Sequence, residues 1–443
     1  MLKTFHKGGI HPPENKFSAD SPIQIPPLPE SVSIPISQHI GAPSEPVVKK
    51  GDMVKTGQII AKSSGFVSAN IHSSVTGTVT KVDYIMDSSG YKRMAVTIKT
   101  SEDVWEEGID TSSSLVKNLS LTAAEIVEKT LKGGVVGLGG ATFPSHIKLS
   151  VPKGKKADTL IINGVECEPC LTSDHRLMLE KGEELMIGIQ LLMKSLNVTR
   201  AIIGIENNKP DAISHLKTLA REYQGTEVVA LQVKYPQGGE KQLIKALIGR
   251  EVPSGGLPID IGTVVHNVGT AYAVYEAVQK NKPLIERVVT VTGKKVSNPS
   301  NFMVRIGTPV TALIEAAGGL PEDTGKIING GPMMGKALNT LDAPVTKGTS
   351  GILIIPEDES LRKPQVNCIR CGRCVNVCPM GLEPYLLAAA SERKKWDLVE
   401  NESVMDCMEC GSCSYICPSG RPLLDYIRLG KWTVSKIIRS RKQ

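Results

Sequence analysis

Eight of the ten cysteines fall in one short stretch, as two copies of the same run. Cys368, Cys371, Cys374 and Cys378 precede Pro379, and Cys407, Cys410, Cys413 and Cys417 precede Pro418. Each copy reads C-x2-C-x2-C-x3-C-P, the spacing of paired [4Fe–4S] clusters. Three thiolates on one tight loop reach three corners of a cube. The fourth, pushed away by the turn before proline, reaches the neighbouring cluster. The expected ligand sets are therefore Cys368, Cys371, Cys374 and Cys417 for one cluster, and Cys407, Cys410, Cys413 and Cys378 for the other. A zinc site prefers two C-x2-C pairs around a longer spacer, and neither copy is built that way. Two such clusters serve electron relay rather than hydrolysis, so something must feed them and something must receive from them.

Candidates for the feeding cofactor lie upstream. Gly137, Gly139 and Gly140 form a glycine-rich loop after a predicted helix. It fails as a dinucleotide fingerprint, because Thr142 stands where the third glycine belongs and no strand precedes it. Residues Gly330 to Lys336 imitate a phosphate-binding loop, but Ala337 replaces the magnesium-binding hydroxyl and Pro332 deletes an amide. Cys167 and Cys170 form C-E-P-C, which reads as buried small residues rather than a redox couple, since no helix N-terminus is evident to acidify a thiol.

Several elements must position these residues. Residues 1–34, rich in proline, read as an extended arm. Residues 35–100 carry short alternating runs between glycine turns and resemble a biotinyl/lipoyl barrel-sandwich hybrid. Its hairpin reads His72-Ser73-Ser74-Val75, without the lysine a carrier domain presents, so a structural use is expected. Residues 115–285 alternate strand and helix patterns, which predicts a mostly parallel sheet covered by helices. Within them, residues 174–197 read as one long helix. Residues 286–355 suggest a β-grasp-like module and 356–430 the cluster module, helical between its two runs. Residues 431–443 form a basic tail whose apolar positions follow helical spacing only loosely.

Composition bounds the class. The 443 residues predict two to four domains. The net charge of +7 is too small to argue for nucleic acid. No apolar run is long enough to span a bilayer, and the first residues lack the apolar core of a signal peptide. Clustered cysteines without an export signal suggest a reducing, cytoplasmic setting.

Four motifs, GLGGATFPSHIK (137–148), NGVECEP (163–169), YPQGGEK (235–241) and VVHNVGT (264–270), are similar to those of the flavin-binding, NADH-oxidising subunit of respiratory complex I. The whole chain, including GGIHPPENK (8–16), resembles the RnfC family, a component of the Rnf electron-transport complex. The resemblance implies a multidomain α/β protein with a Rossmann-like flavoprotein core, a β-grasp module of the SLBB kind and a helical ferredoxin domain. It implies FMN, two [4Fe–4S] clusters and NADH or NAD+ as substrate. Gly137, Gly139 and Gly140 would let the backbone approach the flavin, and Lys148 would face its phosphate. Asn163, Glu166, Gly239 and Glu240 would contact the ring or ribityl chain, and Asn267 and Thr270 its polar groups. Phe143 and Glu168 would meet the nicotinamide nucleotide. Lys241 and His266 depart from the complex I pattern, which puts a lysine near the expected flavin and a structural histidine beside it. The implied role is a peripheral subunit on the cytoplasmic side of a membrane complex. There, other subunits would couple ferredoxin and NAD(H) to movement of Na+ or H+. A soluble hydrogenase-type diaphorase subunit and a relay with a degenerate flavin site are the alternatives.

Overall fold

The computed structural model describes residues 2–441. Its central unit is a four-stranded parallel sheet. In chain order the strands are Thr159–Asn163, Ala201–Glu206, Thr226–Leu231 and Thr263–Asn267, and across the sheet they run third, second, first, fourth. Both faces are covered, which is why the strands read as unbroken apolar runs. Leu160 and Ile162 pack toward Gly182–Leu196 and Val268–Gln279, while Ile161 faces Leu243, Ile244 and Leu247 of Glu240–Ile248. Strand order reverses between the first and fourth strands, where Asn163 pairs with Asn267. The crevice beyond the strand ends at such a switch point is where ligands bind in doubly wound sheets.

The barrel-sandwich starts four residues earlier than expected, at Ser31–Pro35, because that strand pairs with Lys92–Thr100 in register. Its hairpin at 72–75 is buried, not exposed. Ser74 Oγ donates to Ile306 O, and Arg305 donates to Ser74 O at 2.7 Å. The turn thus docks on the β-grasp unit, a six-stranded mixed sheet with the helix Val310–Ala316 against it. The residues before the barrel are not a free arm. Ile23–Gln24 adds a parallel edge strand to that sheet, and Lys3 bridges to Leu231 at the edge of the core sheet.

Two further expectations change. The helix pattern over 174–197 breaks at Lys181 into Ser173–Glu180 and Gly182–Leu196. A side chain on Gly182 would meet His215 Nε2 at 2.6 Å, so close packing of helix Pro210–Ala220 sets the joint. The basic tail does not begin at 431. Leu423–Ser440 is one helix that buries Leu423, Ile427, Gly430 and Val434 against Pro384–Glu392 and Trp396–Asn401. Its apolar stripe is short because Gly430 lies close against Ser391. Among the described residues, no helix is long and apolar enough to cross a membrane.

Candidate functional site

Four loops meet beyond the strand ends. The helix Ala123–Lys132, closed by a Thr122–Glu125 capping box, feeds the glycine loop. Leu138 N–H donates to Thr270 Oγ1 at 2.9 Å, and Gly137 N–H to Phe143 O at 2.9 Å. Gly139, Gly140 and Ala141 are exposed, with Phe143 half-buried on the rim. Gly139 backs on Asn267, where an added Cβ would meet that side chain at 3.3 Å. Asn267 Oδ1 accepts from Gly269 N–H and starts Val268–Gln279, so a helix N-terminus with its positive dipole end opens at the crevice.

Charge enters from the side. Lys148, on the short helix Ser145–Leu149, donates to Glu240 Oε1 at 2.8 Å and to Val265 O at 3.0 Å. Asn163 donates to Gly238 O at 2.8 Å, tying the first strand to the YPQGGEK loop. Asn267 Nδ2 donates to Asp174 Oδ2 at 2.7 Å. Burial, together with nearby Glu166, pushes the Asp174 carboxyl up to about 7. The structure therefore brings Gly137, Gly139, Lys148, Asn163, Glu240, Asn267 and Thr270 around one crevice.

Glu166 and Glu168 are otherwise engaged. The Glu166 carboxylate accepts from Asp174 N–H (2.7 Å), His175 N–H (3.1 Å) and Ser173 Oγ (3.2 Å), and so caps Ser173–Glu180 rather than standing free. Both oxygens of Glu168 accept from the β-grasp loop, from Met333 N–H at 3.0 Å and Met334 N–H at 2.8 Å. This carboxylate is a tie between units, and the imitation phosphate loop has a purpose as its anchor. Burial raises Glu168 to about 7 despite those two donors. Lys241 turns away from the crevice toward Pro253 O and Asp406. His266 is buried, held down to about 3 by desolvation and by Lys148, and its Nε2 has no protein partner. It is thus not the satisfied structural histidine expected.

The eight cysteines divide by environment. Cys378, Cys407, Cys410 and Cys413 line one cavity, with only apolar side chains, Gly411 and Ser412 beside them, Leu387, Leu424 and Ile427 among the former. The fourth cysteine of the first run has crossed to the second, as the spacing requires. Four thiols around an apolar hollow fit a four-iron cube chemically. Cys374 and Cys417 approach each other on the other side, and Cys368 and Cys371 are exposed with the whole segment 361–371. Burial pushes the Cys407 thiol up to about 11 and Cys413 up to about 12. Such thiols stay protonated unless a metal ion takes the proton's place.

Tyr235, to which sequence reasoning assigns no role, joins the two sites together with Gly239 and Cys167. Tyr235 is buried, and its hydroxyl donates to Cys410 O at 2.8 Å. Gly239 faces Met408, where a Cβ would lie 2.5 Å from Cε. Cys167 lies between them, its Sγ accepting from Gly238 N–H at 3.3 Å. Burial raises both C-E-P-C thiols, Cys170 to about 11, so neither is a ready nucleophile. Lys16 donates to Glu166 O, Glu168 O and Leu171 O, and Lys209 to Val165 O. For Lys16 the one signal in the sequence is the GGIHPPENK stretch, whose residue types alone point to no function.

Comparison with known proteins follows the same division. Residues 131–276 match the Nuo51 FMN-binding domain, 3–103 the RnfC barrel sandwich hybrid domain, 288–337 the SLBB domain and 367–421 the 4Fe-4S dicluster domain. The RnfC counterpart in the proton-translocating ferredoxin:NAD(+) oxidoreductase complex of Clostridium ljungdahlii is 49% identical over 97% of this chain and 93% of its own. Its counterpart in the Na(+)-translocating complex of Acetobacterium woodii is 47% identical over 96% of each. The corresponding protein of the ion-translocating oxidoreductase complex of Yersinia enterocolitica is 41% identical over 96% of this chain but only 61% of its own. Among solved structures, an NAD+-reducing [NiFe]-hydrogenase in the air-oxidized state shares the fold with a TM-score of 0.51 at 17% identity, over 72% of this chain and 69% of that one. On the identity and coverage of these relatives, the chain belongs to the RnfC family of Rnf-type electron-transport complexes.

Proposed function

We propose that this chain is the peripheral NAD(H)-reacting subunit of a membrane-bound, ion-translocating ferredoxin:NAD+ oxidoreductase complex, on the cytoplasmic side, with the other subunits of the complex as partners. The observation that carries the reading is the direct packing of the YPQGGEK loop of the crevice against the buried cysteine site, through Tyr235 on Cys410 and Gly239 on Met408. A crevice that accepts two electrons and a site that passes them singly have to touch.

FMN, when bound, supplies the conversion between a two-electron hydride donor and one-electron carriers. The glycines 137, 139 and 140 leave backbone room for it, and the N-terminus of Val268–Gln279 with Lys148 supplies positive charge for a phosphate. Asn163 and Asn267 hold the crevice walls at a fixed distance through the adjacent strand ends. Phe143, half-buried on the rim, would cover a nicotinamide. Glu168 acts at one remove, by fixing the loop of residues 164–171 to the β-grasp unit. The eight cysteines would hold two four-iron clusters, with Cys378 joining Cys407, Cys410 and Cys413, and Cys417 joining Cys368, Cys371 and Cys374.

Anaerobic purification with iron, FMN and NADH assays tests this. About eight irons per chain are expected, with a flavin band that NADH bleaches. About four irons in fresh material would remove the two-cluster assignment, and a flavin that NADH leaves oxidised would remove the NAD(H) assignment. Lys148→Ala should lose FMN; full occupancy would count against its role.

A further inference from the structure

We propose that the segment Gly8–Lys16 is a built-in strap that registers the flavin crevice against the buried cysteine site, and that Tyr235 is the positioning residue through which it acts. The inference rests on the proposed function and adds to it a part of the chain that holds neither flavin nor cluster.

The strap touches every loop concerned. Gly9 N–H donates to Val377 O, next to the crossing ligand Cys378, at 2.9 Å. Ile10 and Tyr235 exchange both backbone hydrogen bonds at 2.9 Å, so the strap pairs with the YPQGGEK loop as a one-residue antiparallel ladder. Cys170 N–H donates to Glu14 O at 2.8 Å, and Lys16 gathers the carbonyls of Glu166, Glu168 and Leu171 at 2.7–3.0 Å. One short stretch thus holds the crossing-ligand loop, the Tyr235 loop and the C-E-P-C loop at once.

The glycines show how tight the register is. Gly8 has φ +68° and Gly9 φ +93°, left-handed conformations that L side chains rarely adopt. A Cβ on Gly8 would lie 2.5 Å from the Cys378 carbonyl, and one on Gly9 2.5 Å from Lys234 Cε. The first neighbour is backbone and cannot swing aside. A residue there with any side chain would push the crossing cysteine away from its partners.

Tyr235 completes the contact. Its backbone is fixed by Ile10, its ring packs with Ile10 and Cys410, and its hydroxyl donates to the Cys410 carbonyl. A donor aimed at the carbonyl of a ligand residue offsets negative charge beside its thiolate and so favours the more reduced state of whatever that thiolate holds, as outer-shell hydrogen bonds tune a metal site. The overall redox balance is unaltered: NADH gives up two electrons and becomes NAD+ with release of one proton, and each of two clusters gains one electron.

The test compares Tyr235→Phe and Gly8→Ala with the wild-type holoprotein. FMN and iron content, stopped-flow reduction by NADH and potentiometric EPR are read on each. A lost neutral hydrogen bond of about 1 kcal/mol corresponds to roughly fivefold. At 59 mV per decade for one electron this is up to ~40 mV. With flavin content and flavin bleaching unchanged, Tyr235→Phe should slow the later cluster-reduction phase several-fold. It should also lower the midpoint of the inner cluster, the one Cys378, Cys407, Cys410 and Cys413 would hold, while that of the outer one, at Cys368, Cys371, Cys374 and Cys417, holds. Gly8→Ala, which acts from the other side of the contact, should slow the same phase. Wild-type rates and midpoints in both variants would overturn the proposal. So would equal slowing of both phases with loss of FMN, which would mark a merely structural role. A wild type that shows no cluster reduction after flavin bleaching would defeat the functional reading instead.

Discussion

Replacing Glu168 by glutamine asks whether the carboxylate that joins the crevice loop to the β-grasp unit is a buried titrating group. Desolvation pushes it from the usual 4.5 up to about 7, against the two amides of Met333 and Met334 and the nearby Lys16 that favour its charge. The folded chain therefore binds this proton more tightly than the unfolded one. Its contribution to stability is full below pH 4.5 and is lost as pH rises through 7. At 1.36 kcal/mol per pH unit, the gap amounts to about 3 kcal/mol. Asp174 and Glu206 are also raised to about 7 and tilt the profile the same way, so the absolute slope belongs to all three. The difference between wild type and Glu168→Gln isolates one of them. Anaerobic urea midpoints at about pH 5 and pH 8 are the assay. Because the unfolded carboxyl is already largely ionised at pH 5, the wild type should lose between about 2 and 3 kcal/mol more than the glutamine chain between those values. Two parallel profiles would refute the reasoning, because an ionised Glu168 would then be as well solvated in the fold as in water.

Cys378→Ser should remove the EPR signal of the inner cluster, although Cys378 belongs to the first run, and Cys417→Ser should remove the outer one; the reverse pattern would exclude the crossed ligation. Thr270→Val deletes the acceptor of Leu138 N–H and should cost about 1 kcal/mol of stability, with weaker FMN retention seen by equilibrium dialysis. Lys347, buried with its Nζ on Asn70 O and Gly134 O, is held down to about 7 by desolvation. The unfolded chain binds that proton more tightly, so wild-type stability should rise from about pH 7 to pH 9 by roughly 2 kcal/mol relative to Lys347→Met. Equal urea midpoints across that range would show the amine to be solvated.

What could be read from the residues was what local spacing encodes. The cysteine runs carry their spacing within a few turns of chain each, and the turn before proline sets Cys378 beside Cys407, Cys410 and Cys413. The parallel sheet follows from apolar runs alternating with helical periods, and the crevice from the motifs at the strand ends. What was not legible depends on partners far along the chain. Nothing near Lys16 in the chain points to its three carbonyls, which lie 150 to 155 residues away. Glu168 matches a nucleotide-binding position by motif, yet its oxygens are taken by amides 165 and 166 residues on. The last helix reads as a loose tail because only Gly430, set against Ser391, explains the gap in its apolar stripe.

The two cysteine runs show how far identical spacing underdetermines chemistry. The inner set lies against Tyr235, Met333 and Met408, out of water and next to the crevice. Half of the outer set, Cys368 and Cys371, sits on a fully exposed segment that carries Arg362, Lys363 and Arg370 without an acid between Leu361 and Cys371, while Cys374 and Cys417 are half-buried behind it. Burial opposes added negative charge, whereas exposure and neighbouring cations accept it. Equivalent cysteines are thereby made inequivalent by position alone, one set facing the proposed flavin crevice and the other reaching outward through Cys368 and Cys371. A relay needs that asymmetry. With both sets buried, electrons reaching them would have no way out to a partner. With both exposed, neither could touch the crevice that the strap holds in place.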